Sequence, residues 1–210
     1  MKLFDAGWAP SPRRVRIFLA EKGVEVETVS IDLRTDEQLA PAYLAVNPRG
    51  TVPTLLLDNG TVIDESTAIC RYFEAVHPEP NLFGQTPVEI ALIEGWTRRI
   101  ESECYAAVEN VFRNTVPALR DRALPGKWPP MPQLPELVTR GRIMFDQFVA
   151  AADARLGASA HLAGDRFSYA DIALVVALDF GRRAGLVPGE TRANLARWYS
   201  EVSARPSMAA

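Results

Sequence analysis

The chain is poor in the residues that staple or metallate a protein: its 210 residues include two cysteines and two histidines. Cys70 and Cys104 stand far apart with no Cys-x-x-Cys spacing, which excludes a disulfide framework or a dithiol redox centre and leaves reduced, buried thiols. His77 and His161 stand 84 positions apart, and neither belongs to a Cys- or His-rich ligand motif, so no metal site is expected. No apolar run approaches the roughly 18 residues of a membrane helix, and the opening Met-Lys-Leu-Phe-Asp lacks the apolar core of a secretion signal. A cytoplasmic protein without a membrane partner follows. Excess charge of one sign is missing too: 23 Lys and Arg face 26 Asp and Glu, a net −3, so no electrostatic attraction to nucleic acid is expected. What is present is ordinary for a soluble globular chain, 48% hydrophobic and 23% charged residues, at a length that buries a core without staples.

The rhythm of the chain changes near residue 77. Before it, short extended and helical signals alternate. "KLF" is a strand; "PRRVRIFLAEKG" is a helix with Val15, Phe18, Leu19 and Lys22 on one face and Gly23 at its end. "VEVETVSID" alternates with period two, "DEQLAPAYLAV" is a helix interrupted by Pro41, and "TLLL" and "TVI" flank Asn59-Gly60, a hairpin signal. "STAICRYFEAV" closes the half as a helix. The order β-α-β-α-β-β-α predicts a mixed sheet covered by helices over residues 1–77. Residues 78–87, rich in proline, form a linker, and residues 88–210 read as an all-helical bundle with helices over 88–119, 135–156, 168–183 and 190–204. Ser168 with Asp171 three residues on resembles a capping box that starts the central helix of this half. Between the first two helices "LPGKWPPMPQLP", residues 124–135, holds five prolines in twelve residues and excludes helix. Two readings stay open for it: a rim or lid over a site, and a plain surface crossover.

Three stretches carry chemistry. Ser11 precedes Pro12 and the first apolar helical face, where a serine caps a helix and proline fits its first position. Val52-Pro53, ahead of an extended run, is a candidate cis bond. Glu65-Ser66 opens a helix whose unpaired N–H groups favour an anion, although the same pair is also ordinary helix-start chemistry.

"YLAVNPRGTVPTLLLDNGTVIDESTAI", residues 43–69, resembles the Asn-Pro-x-x-x-Val-Pro-x-Leu, hairpin and Glu-Ser pattern of the cytosolic glutathione transferases. "SYADIAL" matches the capping motif of their helical half, and the resemblance covers nearly the whole chain. It implies a thioredoxin-like half that holds glutathione and a helical half that lines the site of a small hydrophobic electrophile. It further implies a cis Val52-Pro53 whose Val52 backbone pairs with the cysteinyl part of glutathione as an added strand. Ser66 and the helix start would take the γ-glutamyl carboxylate and Glu65 its ammonium group. Gln38 would take the glycyl carboxylate, with Gly50 standing where some members carry a second histidine and Arg49 as an alternative donor. The family stabilises the thiolate with Tyr, Ser or Cys near the first helix; "SPRRV" aligns with the Ser type, and Ser11 is the one hydroxyl among residues 1–27, with Arg13 or Arg14 beside it. Trp8, Ala9 and Pro10 would form one wall of the electrophile's site, and Tyr105 and Phe112 another, although aromatics at that spacing also read as core. A homodimer is implied as well. Three activities are compatible with the resemblance: a transferase that conjugates electrophiles or reduces hydroperoxides, a glutathione-dependent isomerase or dehalogenase, for which the Ser-Ser-Cys cluster of the zeta type is missing, and a non-catalytic module.

Overall fold

A computed structural model describes residues 1–210. The first half runs β1 (Lys2–Asp5), α1 (Pro10–Lys22), β2 (Thr28–Ser30), a short 3-10 turn (Glu37–Leu39), α2 (Pro41–Leu44), β3 (Thr54–Leu56), β4 (Val62–Asp64) and α3 (Ser66–Val76). The strands form one four-stranded sheet in the order β2-β1-β3-β4. β2 lies parallel to β1, with Leu3 opposite Thr28, because α1 carries the chain back across the sheet as a parallel pair requires. β3 and β4 are antiparallel, with Leu55 facing Leu3 on one side and Ile63 on the other.

Local chemistry corrects several expected boundaries. Pro41 begins a helix instead of interrupting one, in keeping with its missing N–H and preset φ. The hairpin closes through a longer loop than an Asn-Gly two-residue turn: Leu57 bonds to Thr61, and of the pair only Gly60 takes a positive φ, 84°. The expected extended run 24–32 contributes only three strand residues.

The second half is helical: α4 (Pro87–Arg99), a wide π-turn (Ile100–Tyr105), α5 (Ala106–Thr115), α6 (Pro135–Gly157), α7 (Tyr169–Arg183) and α8 (Ala193–Ser203). The helix expected over 88–119 is thus the stack of α4, the π-turn and α5, and it stops at Thr115, ahead of Pro117. α7 runs through the centre. Its start is organised by Asp171, fully buried, which accepts from the Ser168 amide at 3.0 Å, the Ser168 hydroxyl at 3.1 Å and the Trp198 indole at 2.8 Å.

One hydrophobic cluster of 37 residues joins both halves. Phe18 from α1, Phe83 from the connecting segment and Tyr169 from α7 meet at ring separations of 4.6 to 6.1 Å. Beside them Lys22, whose side chain is entirely buried, pairs with Glu74 at 2.5 Å and donates to the carbonyls of His77 at 2.8 Å and Pro80 at 2.6 Å. Glu74 in turn accepts from the amides of Leu82 and Phe83. The connecting segment is therefore tied to α1 and α3 by a buried polar cluster.

Candidate functional site

The candidate site lies where the two halves meet, around the N-terminus of α1, whose Ser11 reaches Tyr105 of the helical half. The residue that caps this helix is Ala9, not Ser11; Pro10 is the first helical residue and Ser11 the second. Both Pro10 and Pro12 suit a first turn, and the sequence pattern alone chose the later one. Since neither proline has an N–H and Arg13 donates to Ala9, the Ser11 amide is the only free donor of that turn. The Ser11 hydroxyl does not cap. It lies 3.0 Å from the Tyr105 hydroxyl and accepts from Arg14 Nη2 at 2.9 Å. Arg14 is 5% exposed, with its guanidinium 4.5 Å above the Tyr105 ring and 3.8 Å from Glu101. Glu101 also accepts from Thr67 of α3, so the cluster ties together α1, α3 and the π-turn. Arg13 points elsewhere, to Asp179 at 2.5 Å. Burial pushes the Tyr105 phenol up despite the nearby Arg14 charge, which keeps it protonated as a donor.

A second side of the cleft is the loop from Asn47 to Pro53. Asn47 Nδ2 donates to the Thr51 carbonyl at 3.1 Å and to Thr54 Oγ1 at 2.9 Å, and Tyr43 donates to the same carbonyl at 2.6 Å. So held, the loop presents Val52 ahead of a cis bond to Pro53, and the Val52 N–H and C=O have no partner within the chain. Next to it α3 begins with unpaired amides at Ser66, Thr67 and Ala68. Ser66 is buried, and Glu65, the capping position, takes φ 73°, a left-handed conformation that a non-glycine side chain disfavours and that here turns the chain sharply into the helix. Arg49 is the clamp at this corner, donating to Asp64 and Glu65 at 2.7 Å each. It is thus committed to these acids. Gln38 is 6% exposed, holds Asp36 only weakly at 3.4 Å, and has an amide oxygen with no partner. A side chain at Gly50 would be strained, since φ is 62° and a Cβ would lie 2.9 Å from the Leu39 side chain and 3.1 Å from the Gln38 carbonyl.

The far wall is α5. Tyr105 and Phe112 both pack on Phe180, at 5.6 and 5.1 Å, so Phe112 belongs to the packing behind the wall while Tyr105 reaches Ser11. Ala9 is buried, and Trp8, 42% exposed, is the residue open to solvent beside it. Glu109 follows Tyr105 by one turn and accepts from Arg113 at 3.3 Å. Burial pushes its carboxyl up, with Arg113 and Arg14 opposing.

The proline-rich stretch spans from this wall to the sheet half. The Arg122 carbonyl accepts from Arg113 and its guanidinium pairs with Asp36 at 2.6 Å, and the Lys127 amide donates to the Arg49 carbonyl at 2.8 Å. Gly126 sits so close to that carbonyl that a Cβ would be 2.4 Å from it. The rim reading of this stretch is therefore the one the contacts support. Sequence reasoning missed Glu109 and Arg113 because charged residues on a helix read as its solvated face; their spacing of four from Tyr105 and from each other was the available signal. Arg14 was singled out only beside Arg13, and its position three after Ser11 settles which of the two meets that hydroxyl.

A thioredoxin-like sheet half packed on a helical half, with a backbone edge, a helix start and a polar cluster converging on the cleft, defines the fold of the glutathione transferases. The chain belongs to the glutathione S-transferase family: residues 8–76 match its N-terminal domain and residues 145–206 its C-terminal domain. It is 37% identical over 211 aligned positions to glutathione S-transferase 2 of Saccharomyces cerevisiae, covering 99% of this chain and 88% of the relative. It is 31% identical over 192 positions to the maleylacetoacetate isomerase of Pseudomonas aeruginosa, with 89% and 84% covered. Among solved structures, a glutathione S-transferase domain-containing protein of Marinobacter aquaeolei superposes with a TM-score of 0.91 at 34% identity, over 99% of this chain and all of that one. No helix of the chain is long and apolar enough to cross a membrane.

Proposed function

We propose that the cleft binds glutathione and that the enzyme joins its sulfur to a small apolar electrophile or uses it to reduce an organic hydroperoxide. The observation that carries this reading is that one half supplies two sets of unpaired backbone groups, the Val52 pair and the amides opening α3 with Ser66, together with a Ser11 hydroxyl backed by Arg14 and Tyr105. The Val52 groups pair with the cysteinyl residue as one more short strand. The α3 amides and Ser66 take the γ-glutamyl carboxylate, and Glu65, oriented by Arg49, takes the ammonium group. Gln38 donates its amide to the glycyl carboxylate; which atom of that amide is nitrogen follows from the ligand it meets.

At the sulfur, the Ser11 oxygen accepts from Arg14 and from Tyr105, which frees the single serine proton for the thiolate. Two donors on one oxygen polarise its O–H and strengthen that bond. No metal takes part in this reading, and glutathione serves as co-substrate. The second substrate lies between Trp8, Ala9 and Tyr105. A homodimer in the cytoplasm, with the sheet half of one subunit against the helical half of its partner, completes the proposal.

Titration calorimetry with glutathione and a coupling assay with an activated chloroarene test the reading together. Micromolar to millimolar binding and thioether formation are expected. A chain that binds no glutathione at millimolar concentration refutes it, and sedimentation as a monomer at micromolar concentration refutes the dimer.

A further inference from the structure

Thiolate stabilisation leaves open where the thiol proton goes, and Ser11 cannot take it: a neutral hydroxyl whose oxygen already accepts from Arg14 is far too weak a base for a thiol proton. We propose that the Glu109 carboxylate is the base that receives this proton, with Arg113 as the positioning residue that holds it. The proposal rests on the reading of the cleft as a glutathione site.

Glu109, on α5, stands four residues after Tyr105, the last residue of the π-turn, and so lies on the same side of this continuous helical stack. Tyr105 meets Ser11 at 3.0 Å, and Glu109 stands one helical turn further along, about 6 Å in rise. Its side chain is 30% exposed, so the carboxylate is accessible without being freely solvated. The charged and titratable groups around it are Arg113 from its own helix, Tyr105 from the turn before it, Arg14 from α1 and Glu65 from the start of α3. Arg113 is itself anchored, donating Nε to Glu109 and Nη1 to the Arg122 carbonyl of the proline-rich rim, so it steers one carboxylate oxygen and leaves the other free. Burial raises this carboxyl above the usual carboxylate range, which brings its basicity nearer to that of a thiol at work near neutral pH.

The step balances. The S–H bond of glutathione breaks, its electron pair stays on sulfur, and the proton forms an O–H bond to Glu109. The cleft gains no net charge, because a carboxylate becomes a carboxylic acid as a thiol becomes a thiolate, and the new acid donates back to the sulfur. Once sulfur has bonded to carbon and the leaving group has departed, the proton passes to solvent through the open side of the cleft.

A purely electrostatic Glu109 makes the opposite prediction. An anion beside the sulfur disfavours thiolate, so removing it would raise the thiolate fraction and the rate. Glu109→Gln, which keeps shape and an acceptor for Arg113, is the decisive variant. Stopped-flow ultraviolet absorbance of the thiolate after mixing with glutathione, kcat/KM with an activated chloroarene across pH, and binding of S-methylglutathione, which has no thiol proton, are the readouts. For a base, ionisation and kcat/KM fall about 100-fold and Glu109→Asp recovers part of the loss, while S-methylglutathione binds both proteins alike. The acid limb of the wild-type kcat/KM profile, expected above the usual carboxylate range, also disappears in Glu109→Gln. Ionisation as fast as in wild type, or faster, with S-methylglutathione binding intact overturns the base and leaves the glutathione site standing. Failure of the wild type to bind S-methylglutathione overturns both.

Discussion

Replacing Ser11 by Ala separates two roles of one hydroxyl. A hydrogen bond to a charged group is worth about 1.5–3 kcal/mol, and one pKa unit is about 1.36 kcal/mol, so losing the bond to a bound thiolate raises the thiol pKa by about 1–2 units. A free thiol near pKa 8.5 is only about 3% ionised at pH 7, and a depression of roughly 2 units makes it about 75% ionised. The rate follows less steeply, because a less basic thiolate is a poorer nucleophile. With a Brønsted slope of about 0.45, 2 units cost about eightfold in nucleophilicity and leave a net change of about threefold. The assay must therefore be the pH titration of the ultraviolet thiolate absorbance of bound glutathione, not the rate. Tyr105→Phe, acting through Ser11, should move the same titration in the same direction by less. Stability should also fall, by about 1–3 kcal/mol, because Arg14 loses its acceptor between the halves and the Tyr105 hydroxyl its partner, and not because a helix cap is lost. A bound-thiol pKa that stays put in Ser11→Ala refutes the assignment of this hydroxyl to sulfur.

Other perturbations test the frame around the cleft. Lys22→Met strands the Glu74 carboxylate and two carbonyls in a site where the lysine side chain is wholly buried, and should cost about 3–5 kcal/mol in urea unfolding. Adding Glu74→Gln should recover much of that, since an amide oxygen still accepts from Leu82 and Phe83; a single variant as stable as wild type contradicts the account. Burial works against the Glu21 charge, but hydrogen bonds from Arg205 and Ser207 outweigh it and hold the carboxyl below its usual value. A depressed folded-state pKa means stabilisation that is present above the unfolded value near about 4.3 and is lost as pH falls through the folded one. Thermal melts should accordingly show a steeper decline below about pH 4 in wild type than in Glu21→Gln. Gly126→Ala puts a Cβ 2.4 Å from the Arg49 carbonyl at φ 83°, so the rim must lift. The expected outcome is a higher KM for glutathione with little change in kcat, and equal kinetics would show that the rim plays no part in binding.

Much of the fold was legible because its signals are local. The period-three-to-four face of Val15, Phe18 and Leu19, the Glu65-Ser66 helix opening and the Ser168-Asp171 pair each report a helix from neighbouring residues, and the structure puts helices there. Boundaries were less legible where two residues compete for one role. Pro10 and Pro12 both suit a helix start, and choosing between them moved Ser11 from the cap to the first turn. The site residues divide in the same way. The candidate residues Val52, Pro53, Glu65 and Ser66 offer backbone geometry encoded within a few residues, whereas Arg14 and the proline-rich rim find partners more than thirty positions away, Tyr105 and Glu101 for the one and Asp36 and Arg49 for the other.

By itself, then, the sequence determined the two-part architecture and the family, because periodicity, turn chemistry and short motifs are properties of adjacent residues. Only the tertiary structure decided what surrounds the sulfur position. The direction of the Ser11 hydroxyl and its meeting with Tyr105 of the π-turn depend on how two separately patterned halves pack against each other, and the diversion of Arg49 to Asp64 and Glu65 depends on how the loop folds back onto β4. Charge-assisted hydrogen bonds act over a few ångströms of space, and sequence distance carries no information about that separation.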